Sequence, residues 1–204
     1  CTQALDHGFE VSVQEFIPGP PAAGVVYAAY FADGEPLVEV THRKVRDGPP
    51  TWGSPRVCVT DSIPEILKPG RALMEATGFT GYTCIEFKHD ARDGQPKLME
   101  VNARHNLAGT LHTDNGVDMP WIQYQHLMFG TRPTHVPQPP DGRYWVDIQR
   151  DVGYSLRHRK TERLTMRDYV RPYRRGTAFR SFAWSDPMPF LTQGASRVVN
   201  RLRP

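Results

Sequence analysis

Two short runs hold the residue types with the most chemistry in this chain. In "CIEFKHD", Glu86 and Lys88 stand two apart, and in "KLMEVNAR" Glu100, Asn102 and Arg104 repeat that spacing, with Leu98 beside them. Strand side chains alternate with period 2, so each set should share one face of its strand. Between the runs, "ARDGQP" carries an Asp93-Gly94 turn signal, which predicts a hairpin with its arms about 4.8 Å apart. If the two faces coincide, two carboxylates and an amide oxygen converge on one point. Such hard-oxygen donors suit Mg²⁺, which keeps waters and takes phosphate oxygens as further ligands. Lys88 and Arg104 beside them would neutralise phosphoryl oxygens. The plainer alternative is a set of Glu–Lys and Glu–Arg pairs on a wet sheet face, common and worth little. The residues alone leave both readings open.

The surrounding elements must position that hairpin. "FEVSVQEFIPG" alternates like a strand and stops at the Pro18-Gly19 turn signal. "GVVYAAYFADGEPLVEVTHRKVR" predicts a β-hairpin with arms 25–31 and 36–45, joined through Asp33-Gly34. "DGPPTWGSPR" reads as loop. A helix is expected to begin near Pro69, which interrupts the pattern of Ile66, Leu67, Leu73 and Met74, and to end at Gly78. A second helix, "MPWIQYQHLMFG", should close at Gly130, with Trp121, Tyr124, Leu127 and Met128 at helical spacing and therefore read as core. "PTHVPQPP" is linker-like, "RYWVDIQRDVGYSL" reads as a further strand, and "QGASRVVNRL" as a short helix. The order predicts an α+β fold, an antiparallel sheet with flanking helices, followed by an Arg-rich C-terminal extension.

At 204 residues the chain can bury a real core, as one compact domain or two small ones. Its 19 prolines and 17 glycines imply many loops. No run of 18 apolar residues suggests a transmembrane helix, and "CTQALDHGFE" does not read as a signal peptide. Cys1, Cys58 and Cys84 are odd in number and scattered, which points away from a disulfide scaffold and towards the cytoplasm. His42, His105 and His112 lack metal-site spacing. Charge is uneven: residues 1–142 hold 11 Lys and Arg against 17 Asp and Glu, whereas 143–204 hold 14 against 5. That basic tail is either a solvated surface or a contact for an anionic acceptor or a membrane surface. Nucleic acid is disfavoured, since no recognition motif accompanies the arginines.

The stretch "GFTGYTCIEFKHDARDGQPKLMEVNARHNLAG" resembles the metal-binding segment of the ATP-grasp family, with its G-x-x-G-x-x-x-(V/I)-E-F, Asp-Gly turn and L-x-E-(V/I)-N-x-R. "VQEFIPG" resembles that family's hinge over the adenine. "RKVRDGPPTWGS" and "AFRSFAWSDPMPFL" are similar to segments of its carboxylate–amine ligase-like subgroup, which takes in D-aspartate ligase-type proteins, and carbamoyl-phosphate-synthetase-type members also belong to the family. The resemblance covers about residues 10–130 and implies a partial ATP-grasp fold, its C-terminal half. Residues 1–132 would hold hinge, hairpin and metal strands, and 133–204 a proline-rich linker and basic extension.

The resemblance implies ATP and Mg²⁺, two ions, as cofactors. Glu86 and Glu100 would bridge the metals, with Asn102 as the amide ligand and Arg104 as the catalytic contact to phosphate or acyl phosphate. The backbone of Glu15 and Ile17 would hold the adenine while Phe16 points away into packing. Lys88 and a basic residue among Arg43, Lys44 and Arg46 would meet the phosphates. On a regular strand Lys44 and Arg46 share a face and Arg43 takes the other. The implied activity is an ADP-forming ligase that joins a carboxylate to an amine through an acyl phosphate. The phosphate-gripping lysines and glycine-rich loop that precede the family's hinge have no counterpart here. The expectation is therefore a fragment supplying the metal-binding half, with the N-terminal half in the same or another chain. The competing reading is a non-catalytic nucleotide-binding remnant or an Arg-rich module for an anionic partner.

Overall fold

A computed structural model of the chain describes residues 6–11, 13–48, 53–133, 136–162 and 164–202. Its centre is a seven-stranded sheet in the order β5-β4-β1-β2-β3-β6-β7. The strands are β1 (Gly24–Ala32), β2 (Glu35–Asp47), β3 (Pro55–Thr60), β4 (Gly81–His89), β5 (Pro96–Asn102), β6 (Tyr144–Val146) and β7 (Ala178–Phe179). Every neighbouring pair is antiparallel except β6 and β7. The expected α+β class therefore holds, with one parallel pair at the far edge.

The β1–β2 turn follows from its residues: Asp33 and Gly34 both take positive φ (53° and 81°), the conformation that two-residue hairpins demand. β1 is buried from end to end because both sheet faces are covered there. On one face Val25, Tyr27, Ala29, Phe31, Ile85 and Phe87 pack against the helix α1 (Pro64–Glu75) through Ile66 and Met74. On the other, Val26, Ala28, Tyr30, Val40 and Cys84 pack with Val117 and Met119.

Three expectations need correction. α1 does not begin near Pro69 but runs through it, with Pro64 in its first turn. Proline there loses one backbone bond, and burial of Ile66 and Met74 against the sheet outweighs that loss. The described residues of "FEVSVQEFIPG" form no strand: Phe9, Val11 and Val13 are exposed and none of them is paired in the sheet. Alternation makes a strand only where a ladder partner meets the backbone. "RYWVDIQRDVGYSL" is strand only at β6, then turns into the helix α4 (Ile148–Glu162). Between α1 and α4 lie α2 (Thr110–Thr113) and α3 (Met119–Phe129); α5 (Met166–Val170) and α6 (Met188–Leu202) follow.

α3 does end at Gly130, in the left-handed region at φ 66°. Its Trp121, Tyr124, Leu127 and Met128, expected as core, are exposed instead, because the helix turns Met119, Ile122 and His126 towards the sheet. No described helix is long and apolar enough to cross a membrane.

The C-terminal segment docks on β2 and β3 through buried charge. Asp151, fully buried, accepts from Arg46 (Nε 3.0 Å, Nη2 2.7 Å), from Arg56 Nη1 (2.8 Å) and from the Tyr173 hydroxyl (2.6 Å). Arg56 also pairs with Glu162 and lies over the Tyr154 ring.

Candidate functional site

Where β4, β1 and β2 end together, the sheet opens into a cleft of about 580 Å³, within the usual span for small-molecule sites. Glu86, Lys88, Lys44, Glu100, Asn102 and Arg104 line it, with Phe16, Ile17 and Asp47. Glu86 and Glu100 stand directly opposite one another in the β4–β5 ladder, and Asn102 is opposite Cys84. Directly opposed residues share a face, so the two carboxylates and the amide occupy one side.

Leu98 does not share that side. The ladder slips by one residue between Glu86 and Phe87, so Leu98 pairs with Phe87, and Met99, the extra residue, lines the cleft. A β-bulge of this kind turns one more side chain inward. Arg104 lies beyond the end of β5, on a bend, and reaches the cleft from there.

The three basic residues of β2 part company. Lys44 faces the cleft and its Nζ donates to Glu86 at 2.6 Å, with little solvent around it. Burial opposes its charge, but the Glu86 carboxylate outweighs burial and raises its pKa, so it stays an ammonium. Arg43 is on the opposite face, bonded to Asp61 at 2.7 Å. Arg46, expected beside Lys44, is not in the cleft. The β2–β3 register shifts between Lys44 and Arg46, which swings Arg46 to the other face and onto Asp151.

Gly24 at the start of β1 makes room for Lys44, since a Cβ there would sit 3.1 Å from the lysine's Cδ. Below, His42 meets His112 ring to ring at 3.1 Å, and burial holds both imidazoles neutral, His112 down to about 3. Burial also pushes the Cys84 thiol up to about 12, and Asn106 Nδ2 reaches its sulfur at 3.6 Å. The thiol is therefore a packing group and no nucleophile at neutral pH.

Among the described residues, no cluster of three or more His, Cys, Asp or Glu is placed to hold a metal ion. The donor set here is two carboxylates and an amide, the hard-oxygen chemistry of Mg²⁺ with waters and phosphate completing the shell. The residues present fit that ion.

No family model matches the chain. It is 24% identical over 181 residues to the D-aspartate ligase of Enterococcus faecium (strain Aus0004), covering 82% of this chain and 42% of that protein. The chain resembles part of an ATP-grasp domain. It spans less than half the length of that curated relative. Among solved structures, the L-amino acid ligase from Bacillus licheniformis is 17% identical with a TM-score of 0.45, covering 63% of this chain and 33% of that one. The biotin carboxylase domain of 2-oxoglutarate carboxylase from Hydrogenobacter thermophilus, solved with MgADP, ADP and bicarbonate, is 15% identical with a TM-score of 0.41 over 59% and 28%.

The segment expected to form the hinge differs in detail from that expectation. Phe16 does not point into packing: it is exposed at the cleft, with the Lys88 ammonium 5.3 Å from its ring centre. Ile17 is the buried neighbour. The Glu15 side chain turns to Arg92, at 2.7 Å, rather than into the cleft. Alternation along an unpaired segment does not fix which side chain packs. Sequence reasoning also passed over Asp47, because "RDGPP" reads as the start of a loop.

Proposed function

We propose that this chain is the metal-binding half of an ATP- and Mg²⁺-dependent, ADP-forming ligase that joins a small carboxylate to an amine through an acyl phosphate. The observation that carries the reading is the direct opposition of Glu86 and Glu100, with Asn102 on the same face, at the mouth of a cleft that Lys44 and Lys88 also line. The similarity to a D-aspartate ligase supports the carboxylate–amine class.

In this reading Glu86, Glu100 and Asn102 hold the magnesium, as two ions. When bound, Mg²⁺ supplies neutralisation of the charge that develops on the transferring phosphoryl group. Lys44 and Lys88 attract the phosphates into the cleft, and Arg104 donates to phosphate or acyl phosphate oxygens. Phe16 and Ile17 line the wall against which the adenine rests. Residues 1–132 hold this half-site. Residues 133–204, the proposed linker and basic extension, extend the far edge of the sheet through β6 and β7. An N-terminal half, in the same or another chain, supplies the remaining phosphate grip.

Calorimetry with ADP or ATP, with and without MgCl₂, tests the reading. The 204-residue chain should bind nucleotide more tightly with Mg²⁺, and Glu100→Ala should lose at least about tenfold of that metal-dependent affinity, about 1.4 kcal/mol. Equal metal-dependent affinity in both proteins would sink the metal assignment.

A further inference from the structure

Four aspartates are buried among the described residues: Asp47, Asp90, Asp147 and Asp151. Three have cations at hand. Asp90 takes Arg92 at 2.6 Å, Asp147 takes Arg180 at 2.7 Å, and Asp151 takes Arg46 and Arg56. Asp47 differs. The residue is 8% exposed, its Oδ1 has no hydrogen-bond partner, and no described ion pair reaches its carboxylate. A buried, unpartnered carboxylate is costly, so it needs an explanation outside the folded chain's own contacts.

The position is not accidental slack. Asp47 is the last residue of β2, and its carbonyl accepts from Arg56 Nε at 2.8 Å. Its neighbour Arg46 is locked on Asp151. The backbone is thus held on both sides while the carboxylate lines the cleft, beside Ser54 and Pro55. Burial raises its pKa to about 6, and Lys44 partly offsets that while Glu86 adds to it. The nearby ammonium of Lys44 is spent on Glu86.

We propose that Asp47 is the acceptor subsite of the cleft, a carboxylate that receives the ammonium group of an incoming primary amine. The inference rests on the ligase reading for the need of an amine, and on Asp47 for the place. A primary ammonium needs only an oxygen acceptor or two and a water-poor wall, and this site offers both. A divalent metal fits less well, because Asp47 ends β2, whereas the oxygen donors that suit Mg²⁺, Glu86, Glu100 and Asn102, share one face of β4 and β5. Asp47 is a positioning residue in this scheme: it holds the nitrogen near the phosphate end of the cleft.

The test uses propylammonium chloride as the probe and ¹³C-carboxyl aspartate NMR as the readout. In the wild-type chain, propylammonium should shift the Asp47 carboxyl signal saturably, whereas propanol should not. Asp47→Asn should weaken amine affinity, followed through amide signals of the cleft, by at least about tenfold. The variant should also fold at least as well as wild type, because it removes an unpaired buried charge.

Unchanged amine affinity in Asp47→Asn, or no amine binding by the wild type, overturns the proposal. So does a lower thermal midpoint in Asp47→Asn, which would mark the carboxylate as structural, or a saturable response of Asp47 to MgCl₂ in place of the amine. The two readings fail separately. Loss of the ligase reading appears as nucleotide binding that ignores Mg²⁺ and Glu100, whereas loss of this one leaves that binding intact.

Discussion

Asp151→Ala should be the most damaging single change outside the cleft. The carboxylate is 0% exposed and sits between two guanidiniums that are themselves 4% and 2% exposed. Removing it strips Arg46 of its described anionic partner, while Arg56 keeps Glu162. Breaking a buried pair from one side costs about 3–5 kcal/mol, mostly because the remaining charge stays out of water. The Tyr173 hydroxyl loses its acceptor as well. For a chain of this size the loss corresponds to a fall in Tm of roughly 6–20 °C. Urea unfolding followed by far-UV circular dichroism and by the buried Trp145 measures it. A double variant, Arg46→Met with Asp151→Leu, removes both charges together and should recover more than half of the loss, since apolar replacements of a buried pair are often neutral. A loss under about 1 kcal/mol for Asp151→Ala, or a double variant as damaged as the two single changes added together, would refute this account of how the extension is held.

Two further effects follow from buried groups near the cleft. The His42–His112 pair is neutral when folded but takes up protons near pH 6.5 when unfolded, so the unfolded chain binds more protons below that pH and stability falls as pH falls. Asp47 has the opposite sign, because its folded pKa of about 6 exceeds the unfolded value near 3.8. Around pH 5 these groups together set a slope of about 1.4 kcal/mol per pH unit, and Asp47→Asn should roughly double it. Urea midpoints at pH 7.5, 6.5 and 5.5 read this, and a flat profile contradicts it. Gly70→Ala should destabilise by about 1–2 kcal/mol despite the better helix propensity of alanine. Its Cβ would lie 2.8 Å from the Tyr27 ring, which cannot retreat while its hydroxyl donates to Glu39 at 2.7 Å. A thermal midpoint at or above wild type would show that the ring yields.

The sheet's inner hairpins were legible because their signals are local. Asp33-Gly34 and Asp93-Gly94 announce their turns, and the alternation of "CIEFKHD" places Glu86 and Lys88 on one side whatever else surrounds them. The helix through Pro69 was not legible, since what sustains it is packing of Ile66 and Met74 on β1 and β4, a contact no local pattern encodes. The exposed row of Trp121, Tyr124, Leu127 and Met128 failed in the same way: helical spacing names a face but not what lies against it.

The least legible features are irregularities of register, one in the β4–β5 pair and two in the β2–β3 pair, and they decide the chemistry of the cleft. Period 2 holds only while each residue has one partner, so one extra residue reverses every assignment beyond it. At Met99 the slip exchanges Leu98 for a thioether in the cleft, while Glu100 and Asn102, on the near side, keep their places. Past Lys44 the consequence is larger. Arg46 leaves the cleft and becomes the anchor for Asp151. The loss of one cation from the cleft is therefore coupled to the docking of the C-terminal segment. Asp47 then ends the strand against that anchored neighbour, buried beside Lys44 with a free oxygen. A regular β2 would have put two cations side by side in the cleft. The bulged one puts a cation and an unpaired anion there, the pairing that the proposed phosphate and amine ligands call for.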